Sequence, residues 1–119
     1  MNFTNDKAIY LQMAERMEDE ILSGKYADDE RIPSVREYAV LLQVNINTAV
    51  KAYEQMARDG IVYNKRGLGY FVTPGAKEAI LKARKEEFLQ VSVPQIIRQM
   101  ELLGITQQEL IDSIQSHNS

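Results

Sequence analysis

The chain has 119 residues, 45% hydrophobic and 26% charged, which suits one ordinary globular unit with a short appendage and leaves no room for a second full domain. It contains no cysteine, which excludes disulfides, thiolate metal sites and cysteine nucleophiles and makes the cytoplasm the default compartment. The net charge of −3 argues, taken alone, against a nucleic-acid partner.

The distribution of that charge matters more than its total. Residues 1–30 carry 3 basic and 8 acidic side chains, residues 31–72 carry 6 and 3, and residues 73–119 carry 5 and 6. The middle segment is therefore basic, and a polyanion is drawn to it. The start of the chain, Met1 to Ala8, lacks the basic flank and apolar run of a secretory signal. No stretch approaches the roughly 20 apolar residues that span a bilayer. A soluble cytoplasmic protein with no membrane partner is expected.

In chain order, Lys7 to Ser23 reads as an amphipathic helix, with Tyr10, Met13, Ala14, Met17 and Ile21 at helical spacing and Gly24 as its stop. Lys25 to Ile32 has turn composition and predicts a loop leading to Pro33. Ser34-Val35-Arg36-Glu37 reads as a capping box that opens a second helix, with Val35, Tyr38, Ala39 and Leu42 inward. Only a short turn separates it from Asn45, the N-cap of a third helix that buries Ala49, Ala52, Tyr53 and Met56. That helix turns Asn47, Thr48, Val50, Lys51 and Glu54 outward and stops at Gly60. Ile61–Asn64 and Tyr70–Thr73 are β-rich runs around Lys65-Arg66-Gly67-Leu68-Gly69, a hairpin with a basic tip. Pro74-Gly75 marks a boundary. Beyond it Ala76 to Val91 reads as one long helix with a weak stripe. Ser92 is expected to cap a second tail helix ending at Gly104, and Thr106 to Glu109 forms a capping box for a last one.

A short helix, a tight turn, a second helix beginning with small polar residues and a basic hairpin make a physical design for DNA. The third helix offers Asn47 and Thr48 to base edges in the major groove. Arg66, beside Gly67 and Gly69, reaches a phosphate or the minor groove where glycine lets backbone approach. Ser34 and the helix N-terminus behind it supply amide donors for a phosphate oxygen, with Arg36 adding a cation.

These residues carry a family resemblance. Pro33-Ser34-Val35-Arg36-Glu37, Val44-Asn45-Ile46-Asn47-Thr48, Ala52-Tyr53, Asp59-Gly60-Ile61-Val62 and Gly67-Leu68-Gly69-Tyr70-Phe71-Val72 resemble the GntR-type winged helix-turn-helix, across roughly residues 8 to 73. The short tail and the Asn-x-Asn-Thr start of the third helix look like the YtrA-type subgroup. The resemblance implies a mainly α fold with a β wing: a winged helix-turn-helix DNA-binding domain over residues 1–75 and a short α-helical dimerisation tail over 76–119. It implies a homodimeric regulator, a repressor by expectation, on a palindromic double-stranded operator. It makes Arg36, Thr48 and Gly67 positions of DNA contact. Gln43 stands in place of the usual turn glycine, and Val50 where some members carry a base-reading arginine, so major-groove recognition is assigned to Asn47, Thr48 and Lys51.

The DNA-binding set expected from the residues and the resemblance is Ser34, Arg36, Asn45, Asn47, Thr48, Lys51, Lys65, Arg66, Gly67 and Gly69. The tail is too short to bury its own stripe, so Ile80, Phe88, Ile97, Met100 and Leu103 are expected to pair with a second copy. A small-molecule effector among the tail helices is compatible with this reading, but no residue set names one. His117, the single histidine, has no partner at catalytic spacing, and Asp28-Asp29-Glu30 reads as a solvated turn. No metal, cofactor or enzymatic activity is expected. The alternative is a winged-helix protein-interaction module, which salt dependence of binding distinguishes.

Overall fold

The computed structural model describes residues 7–119; residues 1–6, with most of the segment read above for signal character, lie outside them. The chain forms two compact units, Met1–Lys82 and Ala83–Ser119.

The first unit is built on three helices. Helix α1, Ile9–Leu22, buries Met13, Ala14, Met17 and Ile21, the stripe its spacing predicts. Helix α2, Val35–Leu42, is opened by Ser34 and buries Tyr38, Ala39 and Leu42. It closes on Gln43, whose φ of 56° and ψ of 49° are left-handed. Glycine takes that conformation most readily, and an L-residue pays roughly 1–2 kcal/mol for it, so Gln43 turns the chain at a cost. Helix α3, Ile46–Arg58, buries Ala49, Ala52, Tyr53 and Met56 completely. The two alanines on that face let its backbone lie close to α1 and α2, against which it packs.

Strands β1, Val62–Lys65, and β2, Gly69–Val72, pair antiparallel with Val62 opposite Val72 and Lys65 opposite Gly69. The expected loop before Pro33 is in part a third extended segment. Asp29 N–H donates to Val72 O at 2.8 Å, Val72 N–H to Glu30 O at 2.9 Å and Ile32 N–H to Tyr70 O at 3.0 Å. Bridged to Phe71 through Arg31, this segment covers the free edge of β2 and plugs Ile32 into the core at 1% exposure.

Helix α4, Ala76–Glu87, supplies the last pieces of that core, since Ala76 and Ile80 are both 1% exposed. The N-terminal unit thus runs past Pro74-Gly75 to Lys82. Ile80 was expected at a subunit contact; it lies instead within the N-terminal core, because one helical turn after Ala76 it falls on the same inward face.

In the second unit the end of α4 enters a π turn, Phe88–Ser92, and then helix α5, Val93–Leu103. Ser92 makes no side-chain cap and keeps helical φ and ψ, contrary to expectation. Pro94 accounts for the change. Its ring crowds the carbonyl four residues back and it lacks an N–H, so the preceding turn widens and Val93 N–H reaches Phe88 O instead. Helix α6, Gln107–Asn118, opens with the predicted capping box: Thr106 Oγ1 accepts from Glu109 N–H at 3.1 Å, and Thr106 N–H donates to Glu109 Oε1 at 3.0 Å. Neither the π turn nor α5 nor α6 buries a single residue.

Candidate nucleic-acid interface

The site is assembled where α2, α3 and the hairpin meet. At the N-terminus of α2, Ser34 Oγ accepts from Glu37 N–H at 3.1 Å and Ser34 N–H donates to Glu37 Oε1 at 2.9 Å. That backbone donor holds the Glu37 carboxyl below its ordinary value. Arg36 stands exposed in the same turn. The cap is tied to α3 by Tyr53, whose hydroxyl donates to Pro33 O at 2.5 Å. Burial pushes the Tyr53 phenol strongly up, so it remains a donor at any working pH. Its ring meets Tyr38 of α2 edge-on at 6.1 Å and Tyr70 of β2 at 5.0 Å. One side chain of α3 thereby fixes the other two elements.

Asn45 caps α3, its Oδ1 accepting from Asn47 N–H at 2.7 Å. Asn47 itself projects outward, Thr48 is half-buried and Lys51 is exposed. The Lys51 ammonium lies 5.1 Å over the Tyr10 ring of α1, which restrains it on the outer side of the helix.

The wing is more ordered than a solubilising turn. Tyr63 and Phe71, opposite each other across the strands, stack at 5.8 Å, and the Lys65 ammonium sits 4.7 Å over Phe71 and 5.9 Å over Tyr63. Arg66 and Gly67 are exposed at the tip, where Leu68 N–H donates to Lys65 O at 2.9 Å to close the turn. Gly69 has a φ of +111°, and a β-carbon there would come within 3.1 Å of Arg31 Nε. Glycine takes that φ without the strain any L-residue would carry there.

Asp28, Asp29 and Glu30 are exposed, as a solvated turn should be, and each carboxylate also accepts a hydrogen bond. Asp29 Oδ1 accepts from the Tyr63 hydroxyl at 2.7 Å, Asp28 Oδ2 from Gly75 N–H at 3.3 Å and Glu30 Oε1 from Ala27 N–H at 3.1 Å. The Asp29 carboxylate holds the Tyr63 phenol above its usual range. Tyr53 is buried as its helical spacing predicts; its hydrogen bond to Pro33 and that of Tyr63 to Asp29 were missed because the partners are remote in sequence. Among the described residues no group of three His, Asp or Glu is placed to hold a metal, and His117 lies in the last turn of α6. No helix there is long and apolar enough to cross a membrane.

Residues 9–72 match the family described as bacterial regulatory proteins, gntR family. The chain belongs to that family. It is a DNA-binding transcription regulator with a winged helix-turn-helix and a helical tail. Among family relatives it is 30% identical over 102 residues to the HTH-type transcriptional repressor YtrA of Bacillus subtilis, covering 86% of this chain and 78% of that one. A solved GntR-family regulator from Bacteroides thetaiotaomicron is 46% identical, covers 92% of this chain and 96% of its own, and superposes with a TM-score of 0.79. The DNA-binding domain of AraR in complex with operator ORX1 is 27% identical with a TM-score of 0.54, over 60% of this chain and 93% of that one.

Proposed function

We propose that this regulator acts in the cytoplasm as a homodimeric repressor on a palindromic operator. The observation that carries the dimer is the tail: Phe88, Ile97 and Leu103 are 54%, 49% and 72% exposed, and no residue after Ile80 is buried. Such a helical segment gains its packing from another chain. A second copy supplies the same surface around a two-fold axis, and two-fold proteins read palindromes. Phe88, Ile97, Met100 and Leu103 are the residues assigned to that contact. Repression is argued from the similarity to the repressor YtrA, and operator binding from the similarity to the DNA-binding domain of AraR.

On DNA, the N-terminal turn of α3 brings Asn47 and Thr48 to base edges. Lys51 joins them in the major groove, Ser34, Arg36, Asn45, Lys65 and Arg66 serve phosphates, and Gly67 and Gly69 shape the wing. Affinity is expected to fall steeply with salt, in proportion to the phosphates neutralised. The test is fluorescence anisotropy with duplex DNA from upstream of the protein's own gene, wild type against Arg36→Ala across a salt series, alongside sedimentation of the free protein. A loss of about 1–3 kcal/mol in the variant, on a salt-sensitive curve, supports the reading. Salt-insensitive DNA binding, or a folded monomer at micromolar concentration, refutes it.

A further inference from the structure

Apart from Ala57 near its end, the apolar residues of α3 divide into two sets. Ala49, Ala52, Tyr53 and Met56 are buried without remainder, whereas Ile46 and Val50 are each 37% exposed. Four residues apart, these two form one stripe along the flank of the helix, starting at its first residue and running beside Asn47 and Lys51. The stripe is continuous with the turn that faces the major groove.

That groove presents one apolar feature on its floor, the C5 methyl of thymine. Apart from the small C5–H of cytosine, the other groups there are hydrogen-bond donors or acceptors. An aliphatic side chain pressed over guanine or cytosine edges excludes water from polar atoms and gives them nothing in return. Pressed against a thymine methyl, it removes apolar surface from water on both sides.

We propose that Ile46 and Val50 are specificity-determining residues that read thymine methyl groups in each half-site. This rests on the DNA-binding reading and deepens it: the stripe demands thymine at one or two positions, while the neighbouring Asn47 amide suits adenine. The half-site is therefore A·T-rich under the start of α3.

The experiment uses the full chain and a randomised pool of duplex DNA. Duplexes that wild type enriches are resynthesised with deoxyuridine replacing thymine one position at a time, which deletes the methyl group and leaves base pairing intact. Anisotropy then gives a thymine-to-uracil affinity ratio at each position. The expected ratio is about fourfold at one or two positions, the effect of burying one methyl group. In Ile46→Ala or Val50→Ala it falls to one at the position that side chain covers. Each ratio is taken within one protein, so a variant's overall weakening cancels. Equal binding of thymine and uracil duplexes by a wild type that holds its selected DNA tightly overturns the assignment alone, as does an unchanged ratio in both variants. A wild type that enriches no duplex overturns the DNA-binding reading, and this assignment with it.

Discussion

Truncating Ile80 to alanine tests where the N-terminal unit ends. Ile80 is 1% exposed and ranks among the largest fully buried side chains, so Ile80→Ala removes packed methyl groups and opens a cavity worth about 2–5 kcal/mol. The lower end applies, because Ile80 is the last residue of the core and the surrounding chain has room to settle. For a unit of this size each kcal/mol lowers the melting temperature by about 4–8 °C, so a cost of about 2 kcal/mol gives a drop of about 8–16 °C. The assay is thermal circular dichroism of wild type and variant at protein concentrations spanning roughly a hundredfold. A core residue lowers Tm by a similar amount at every concentration, whereas an interface residue lowers it most on dilution, where mass action no longer holds the dimer together. Phe88→Ala, on the exposed tail, supplies the second pattern under the dimer proposal. An Ile80→Ala protein that melts within about 2 °C of wild type, or whose deficit vanishes at high concentration, refutes the placement of Ile80 in the N-terminal core.

Tyr53→Phe strands Pro33 O and is expected to cost about 1 kcal/mol or more and to weaken DNA binding through a looser α2 terminus. Tyr38→Phe, at a buried hydroxyl that lacks a well-formed hydrogen bond among the described residues and has only the Arg16 side chain nearby, is expected to be close to neutral; paired denaturant melts check both. Gly69→Ala forces a β-carbon into positive φ and against Arg31, at about 1–3 kcal/mol, and is expected to reduce DNA affinity more than global stability, as anisotropy and melts together report. Because the Glu37 carboxyl titrates below its ordinary value of about 4.3, its cap contribution is present at neutral pH and lost as pH falls through the folded value. The Tm gap between wild type and Glu37→Ala is therefore constant above about pH 5 and narrows below about pH 4.

What was legible in the sequence was local. Ser34 with Glu37 and Thr106 with Glu109 lie three residues apart, so each cap is written within a single turn. The buried face of α3 follows from its period alone. The misreadings concern partners at a distance. The backbone bonds of residues 29–32 to β2 leave no periodic trace in so short a segment, and the Tyr63–Asp29 bond joins residues 34 apart. Ile80 looks the same in sequence whether it fills its own core or a partner's. Ser92 before Pro94 had the composition of a helix start, but a π turn absorbed the proline without breaking the helical run. For the interface, the sequence named exposed cations and amides; it could not show that Lys65 rests on two rings or that Lys51 lies over Tyr10.

The acidic turn bears on how a chain of net charge −3 discriminates among polyanions. Asp28 and Asp29, though exposed, accept hydrogen bonds from Gly75 N–H and the Tyr63 hydroxyl, and Tyr63 in turn stacks on the ring that carries Lys65. The carboxylates therefore brace the wing from its base while their charge opposes nonspecific attraction to DNA. Under the proposed DNA reading, affinity comes from placed groups rather than from net charge: Arg36 beside a capped helix end, Lys51 over Tyr10 and Lys65 over its ring pair. Fixed contacts lose less rotamer entropy on binding than free lysines and fit only one backbone geometry. A regulator built this way gives up nonspecific affinity, which a uniformly basic surface would supply, for discrimination between an operator and the rest of the DNA.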